Sequence, residues 1–203
     1  MLQTYQGGYV PEEPGFAKLV SLACHDLRTP LATIFGFART LTRSEGLDPT
    51  FVGYTEMIEA ASDQLGELID ELSLAARIES GRYDPKLERV STDDLAAAAV
   101  ERLGDDRVSV SGQGEGVLVD PETAKRSVSA LVQCALRHGG LEQVEVVVAG
   151  PELRVSPITA SSAPVVLGRD LRDLGAAVAV VHVERLGGSV SVTGDTLKIA
   201  LPA

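Results

Sequence analysis

The chain has 203 residues, 44% of them apolar and 23% charged, with no Trp and a formal net charge of −11. That length suits one large or two small units with a packed core, and the composition is that of a globular protein. Its acidity and its lack of a basic stripe exclude nucleic acid as an expected partner, because phosphate backbones would be repelled. The longest apolar stretch, residues 174–183, is too short to span a bilayer and contains His182. The start lacks the basic and apolar run of a signal peptide, so a cytoplasmic location without membrane insertion is expected. Cys24 and Cys134 have no metal-ligand or disulfide-framework spacing between them and read as small packed thiols.

In chain order, residues 1–13 read as a flexible leader with Gly7, Gly8 and Pro11. Pro14 stands where a helix can begin. Apolar residues then recur at three- and four-residue steps through Phe16, Leu19, Val20, Ala23, Leu27, Leu31, Ile34, Phe35, Ala38 and Leu41, one stripe of a long helix. Asp48-Pro49 opens a second helix, whose stripe runs from Phe51 through Tyr54, Met57, Ile58, Ala61, Leu65, Leu68, Ile69, Leu72 and Ala75 to Ile78. Ser80-Gly81 stops it. Two helices cannot bury such wide stripes on each other alone, whereas two hairpins can. A homodimeric four-helix bundle over residues 14–82 is therefore expected.

Residues 83–203 change character. A short Ala-rich helix capped by Thr92-Asp93-Asp94 runs to about Gly104. Residues 108–111 and 117–119 read as two short strands around a Gly-rich turn. A helix from Pro121 to His138, strands over 143–149 and 153–156, and a Ser/Ala/Pro loop follow. A helix from Gly168 to Leu186 and a hairpin over 189–193 and 196–200 complete the chain. The fold class expected is α+β, a helical hairpin followed by a two-layer α/β sandwich.

The run Ser21-Leu22-Ala23-Cys24-His25-Asp26-Leu27-Arg28-Thr29-Pro30-Leu31 resembles the H-box of histidine-kinase dimerisation and phosphotransfer domains. The likeness covers the hairpin to Arg77-Ile78-Glu79-Ser80-Gly81. It implies that His25 carries a phosphoryl group and that its partners are receiver domains of response regulators, with an upstream hybrid kinase as a further partner. The physics agrees, since a neutral imidazole nitrogen is a nucleophile that can hold phosphoryl. Asp26 is placed to accept the other ring N–H, and Thr29 lies one turn on along the same face. The family uses that position to orient a water against a partner's phosphoaspartate. Pro30 removes a helical hydrogen bond just past His25. Arg28, Thr33, Gly36 and Thr40, near or below His25, are the expected partner-docking positions.

By position, the second unit resembles the histidine-kinase ATPase (Bergerat) fold, but its ligand residues are degenerate. The helix ending at His138 puts Cys134, beside Gln133, where the resemblance implies a magnesium-holding Asn, and a thiol is a poor magnesium ligand. Arg137 falls at a basic position that can face phosphates. Residues 155–164 contain neither the acid nor the glycines of an adenine-binding box. Of the phosphate-approaching glycines only Gly175 remains, followed by Ala176-Ala177-Val178. No cofactor and no metal is expected in this chain, the magnesium residing in the partner receiver. The reading is a dimeric histidine phosphotransferase that relays phosphoryl between receiver aspartates without ATP. The alternatives are a histidine kinase with a divergent nucleotide site and a non-catalytic receiver-binding scaffold.

Overall fold

The computed structural model describes residues 16–44, 46, 48–104 and 106–203. The expected leader and the helix start at Pro14 lie outside the described residues. The first unit is a pair of long helices, α1 (Phe16–Thr42) and α2 (Pro49–Glu79). Asp48 caps α2 by accepting the Thr50 N–H at 2.8 Å, and Pro49 sits in the first turn, where no N–H is needed. Pro30 lies inside α1, which runs unbroken through it. The seam between the helices combines small groups with a few large ones, Leu31 of α1 lying against Gly66 of α2. Cys24, Ala38, Thr55, Ser62 and Ile69 are buried there. The buried hydroxyls of Thr55 and Ser62 donate to carbonyls of their own helix, so the seam holds no orphaned donor at these positions.

The second unit comprises β1 (Glu88–Ser91), α3 (Thr92–Leu103), β2 (Val108–Gly114), β3 (Gly116–Val119), α4 (Pro121–Gly139), β4 (Val144–Gly150) and β5 (Glu152–Ser156). After these come α5 (Ala163–Val166), α6 (Leu174–Arg185), β6 (Ser189–Thr193) and β7 (Thr196–Ala200). Five strands form one sheet in the order β2-β4-β5-β7-β6, with β2 parallel to β4 and the other pairs antiparallel. Strands β1 and β3 form a separate antiparallel ribbon. The alternation of Val144, Val146 and Val148 points one face of β4 into a core shared with Leu131, Val132 and Ala135 of α4 and Leu197 and Ile199 of β7.

Several local expectations change. The two strands around the Gly-rich turn do not pair with each other. Strand β2 joins β4, and β3 joins β1, which alternation alone did not reveal. Gly112 explains part of this, since its φ is +99° and any side chain there would run into the Val148 carbonyl of the neighbouring strand. The cap of α3 is Ser91, one residue before Thr92. Helix α6 begins at Leu174, not Gly168. Asp173 caps it, and residues 163–166 form the short α5 in what read as a loop.

The two units touch through one end of α2. Leu74, Tyr83 and Val178 are buried together, flanked by Ala75, Ile78, Leu174 and Leu186. Among the described residues no helix is long and apolar enough to cross a membrane.

Candidate functional site

His25 lies near the middle of α1 with its side chain 79% exposed. Its Nδ1 is 3.2 Å from Asp26 Oδ1. When Nδ1 carries the ring proton it donates to that carboxylate, and the lone pair is then on Nε2, the other edge of the ring. Neighbouring residues of a helix do not face each other, but Asp26 is short and reaches back across the backbone. Pro30 leaves the Asp26 carbonyl without its helical N–H partner, which loosens the turn that carries His25 and Asp26.

The other predicted positions separate into two groups. Thr29, exposed, stays on the His25 face, and its carbonyl accepts the Thr33 hydroxyl at 3.1 Å. The Thr40 hydroxyl donates to the Gly36 carbonyl at 2.8 Å. Thr33 and Thr40 thus bond to their own helix and present methyl groups beside the bare Gly36. Arg28 is engaged within the chain, donating to Asp70 of α2 at 2.9 Å. Asp70 also takes Arg126 of α4 at 3.3 Å, so a chain of charges runs from beside His25 to the second unit. Both pairs are partly exposed, and such pairs are worth about 0–1 kcal/mol each. Arg82 donates to Ser21, one turn before His25, at 3.2 Å.

In the second unit α4 and α6 pack directly on each other, and the short α5 packs against both. Val165 and Val166 of α5 are fully buried there, with Ile158 and Ala176. Cys134 is fully buried, its thiol pushed up to about 12 by burial and then by the Asp173 carboxylate. Gly175 lies against α4, and a Cβ on it would sit 3.4 Å from the Ala130 methyl. That is an ordinary contact distance, so packing against α4 does not by itself demand a glycine here. The segment that lacks an adenine acid folds onto the end of α4, where Ser161 bonds the His138 carbonyl at 3.1 Å. Arg137 faces a cleft of about 720 Å³ between α2, α4 and the start of α6. Four arginines and four carboxylates line that cleft, and several pair with each other, as Arg102 does with Glu67 and Arg126 with Glu71.

A further histidine was not singled out by the sequence. His182 is fully buried on α6. Tyr83 Oη lies 2.8 Å from its Nε2, and Ser127 Oγ lies 2.8 Å from its Nδ1. Burial depresses its pKa to about 4, so the ring is neutral and both nitrogens are satisfied. Its place in an apolar helical run signalled burial, but its partners are 55 and 99 residues away in the chain.

Residues 17–81 match the His Kinase A (phospho-acceptor) domain. The phospho-acceptor hairpin is similar to that of the sensor protein DivL of Caulobacter vibrioides. The two share 33% identity over 78 residues, 38% of this chain and 10% of DivL. The probable sensor histidine kinase TcrY of Mycobacterium tuberculosis is 36% identical over 93 residues, 45% of this chain and 18% of TcrY. The chain thus spans less than a fifth of the length of these relatives. The crystal structure of full-length ShkA in complex with AMPPNP superposes with a TM-score of 0.66 at 18% identity, over 92% of this chain and 47% of that one. The fold of both units is therefore like that of ShkA over most of the chain, and residues 17–81 carry the likeness to a His Kinase A (phospho-acceptor) domain.

Proposed function

We propose that this chain carries a phosphoryl group on His25 and exchanges it with receiver-domain aspartates, without charging His25 from ATP. One observation carries the reading: His25 stands exposed on the phospho-acceptor hairpin, with Nδ1 held by Asp26 and Nε2 open to a partner. In the forward step Nε2 attacks the phosphorus of an aspartyl phosphate. The N–P bond forms, the P–O bond to aspartate breaks, and the carboxylate leaves with the electron pair. Asp26 stabilises the ring's positive charge as that bond forms. Thr29 is positioned to hold a water near the same phosphorus. In this reading the receiver supplies its own magnesium, and among the described residues Asp26 is the carboxylate that meets His25.

The apolar face left open by the hairpin supports a homodimer. Leu27, Ile34 and Leu41 on α1 and Phe51, Ile58, Leu65 and Leu72 on α2 are exposed at seven-residue steps. That is the spacing of a helix-bundle seam. The small Thr33, Gly36 and Thr40 surface below His25 suits close approach of a receiver helix.

ShkA was crystallised with AMPPNP, so an ATP-charged reading has to be weighed. The residues present do not fit ATP with magnesium. The thiol of Cys134 occupies the expected metal-ligand position, residues 155–164 bring no acid, and Gly175 is followed by Ala176-Ala177-Val178 in place of further glycines, although a cleft of about 720 Å³ stays open beside α4 and the start of α6. The kinase relatives favour the second reading, an active histidine kinase. Two incubations decide between them. Label passing from a phosphorylated receiver to wild type, absent in His25→Gln and accompanied by no labelling from ATP and magnesium, is the expected result. ATP-dependent label that vanishes in His25→Gln makes the chain a kinase. A receiver that neither labels His25 nor loses phosphate leaves a docking scaffold.

A further inference from the structure

Helix α4 carries Cys134 and His138 four residues apart, and hence on one face. The fold brings Asp173, the cap of α6, to that face. The thiol sulfur, an imidazole nitrogen and a carboxylate oxygen all lie within 4.8 Å of one another. We propose that these three residues bind a borderline-soft divalent cation, zinc by preference, which ties the end of α4 to the start of α6. The site is independent of phosphoryl transfer at His25.

The geometry is close to what such a cation requires. His138 Nε2 and Asp173 Oδ2 are 3.2 Å apart. Two ligands at about 2.0 Å from a tetrahedral zinc are separated by roughly 3.3 Å, so this edge is already formed. The sulfur has to close by only about 1 Å to complete a face with longer bonds of about 2.3 Å. The donor set of thiolate, imidazole and carboxylate suits zinc or its first-row neighbours and excludes magnesium and calcium, which take oxygen. Three protein ligands leave a fourth position for water, and Asp173 borders the large cleft.

The surroundings hold the ligands in place. The second Asp173 oxygen accepts the Ala176 N–H at 3.0 Å, which orients the carboxylate. Ser161 fixes the carbonyl of His138. His138 lies in the last turn of α4, where the helix dipole favours positive charge. Without a cation, burial first and the Asp173 carboxylate second disfavour a thiolate at Cys134. A divalent cation between them reverses that interaction. The thiol then loses its proton to solvent, the hydrogen bond between His138 and Asp173 gives way, and both side chains ligate the ion. The plain alternative is a capping pair beside an inert core thiol.

Cobalt titration of the reduced full chain separates these, in a Cys24→Ala background so that the other thiol cannot contribute. One equivalent of cobalt, displaced by zinc, should give tetrahedral visible bands and a thiolate-to-cobalt charge-transfer band. Cys134→Ser should abolish the charge-transfer band. His138→Gln and Asp173→Asn should each weaken binding at least ~10-fold. Asn still caps a helix, so the last variant keeps the fold while losing the charge, and circular dichroism checks this for all three. The absence of a charge-transfer band in the folded parent overturns the site. So does a band that survives Cys134→Ser, or affinity untouched by both other changes.

Discussion

The chemistry of His25 rests on two ring nitrogens doing different things. Nδ1 faces Asp26 at 3.2 Å and Nε2 faces outward from a side chain that is 79% exposed. The proposed transfer requires that exposure, because its phosphoryl group arrives on another protein. If Asp26 selects the tautomer and offsets the developing charge, Asp26→Asn should slow receiver-to-His25 transfer about 10²-fold while leaving the fold unchanged. Rapid-quench transfer from a labelled receiver measures it. His182 is the opposite case, a histidine built to stay neutral. Its folded pKa of about 4 lies below the usual 6.5, so between these values the unfolded chain binds a proton that the folded one does not. Stability therefore rises with pH through this window and is lost as pH falls. The His182 contribution to the loss from pH 7 to pH 5 should be about 2 kcal/mol. Urea midpoints at the two pH values test this, and His182→Gln should flatten the acid limb.

Among the elements, the hairpin departs most from what a lone chain can satisfy. Its internal seam buries groups such as Cys24, Ala38 and Ser62, while Ile34, Ile58, Leu65 and Leu72 remain exposed. Large side chains at heptad spacing outside that seam call for a second hairpin. Ile58→Glu combined with Leu65→Glu should convert a dimer to a monomer in light scattering. The second unit, whose core has no part in that face, should melt as before. Helices α4 and α6 show the reverse economy. They pack on each other with Gly175 beside Ala130, and this brings Asp173 to the end of α4.

For the molecule as a whole, the hydroxyl of Tyr83 couples the two units. Tyr83 follows the hairpin directly, is buried against Leu74 and Val178, and reaches His182, which in turn meets Ser127 of α4. Burial and the nearby Asp120 raise the Tyr83 pKa, so the hydroxyl keeps its proton at neutral pH. Tyr83→Phe keeps the ring but orphans one His182 nitrogen in a fully buried position. Chemical denaturation should show a cost of about 1–3 kcal/mol. Hydrogen exchange should show loosening concentrated in α6 and the end of α2. The charge chain Arg28, Asp70 and Arg126 spans the same junction on the exposed side, where solvent screening leaves it easily broken.

The local pattern determined most of the elements. Apolar steps of three and four placed α1 and α2, Asp-Pro pairs opened α2 and α4, and alternation located β4, β5, β6 and β7, because these signals act between residues a few positions apart. His25, Asp26, Thr29 and Pro30 were legible for the same reason, since they share one or two turns of a helix. Strand pairing was not legible. Alternation states that a strand has a buried face but not which neighbour it meets, so β2 beside β4 and β3 beside β1 emerged only from packing. The start of α6 was misplaced because Gly168 is a stronger break in the sequence than the charged stretch 169–173, and only the Asp173 side chain, bonded to the Ala176 N–H, marks the true cap. The roles of Arg28, Gly175, His182 and Asp173 likewise depended on partners far along the chain. Sequence alone singled out His25 and its helical neighbours as the proposed phosphoryl site. The tertiary structure decided what surrounds Cys134 and Gly175, because only folding brings Asp173 to Cys134 and His138 and opens a cleft beside Arg137 and Gly175.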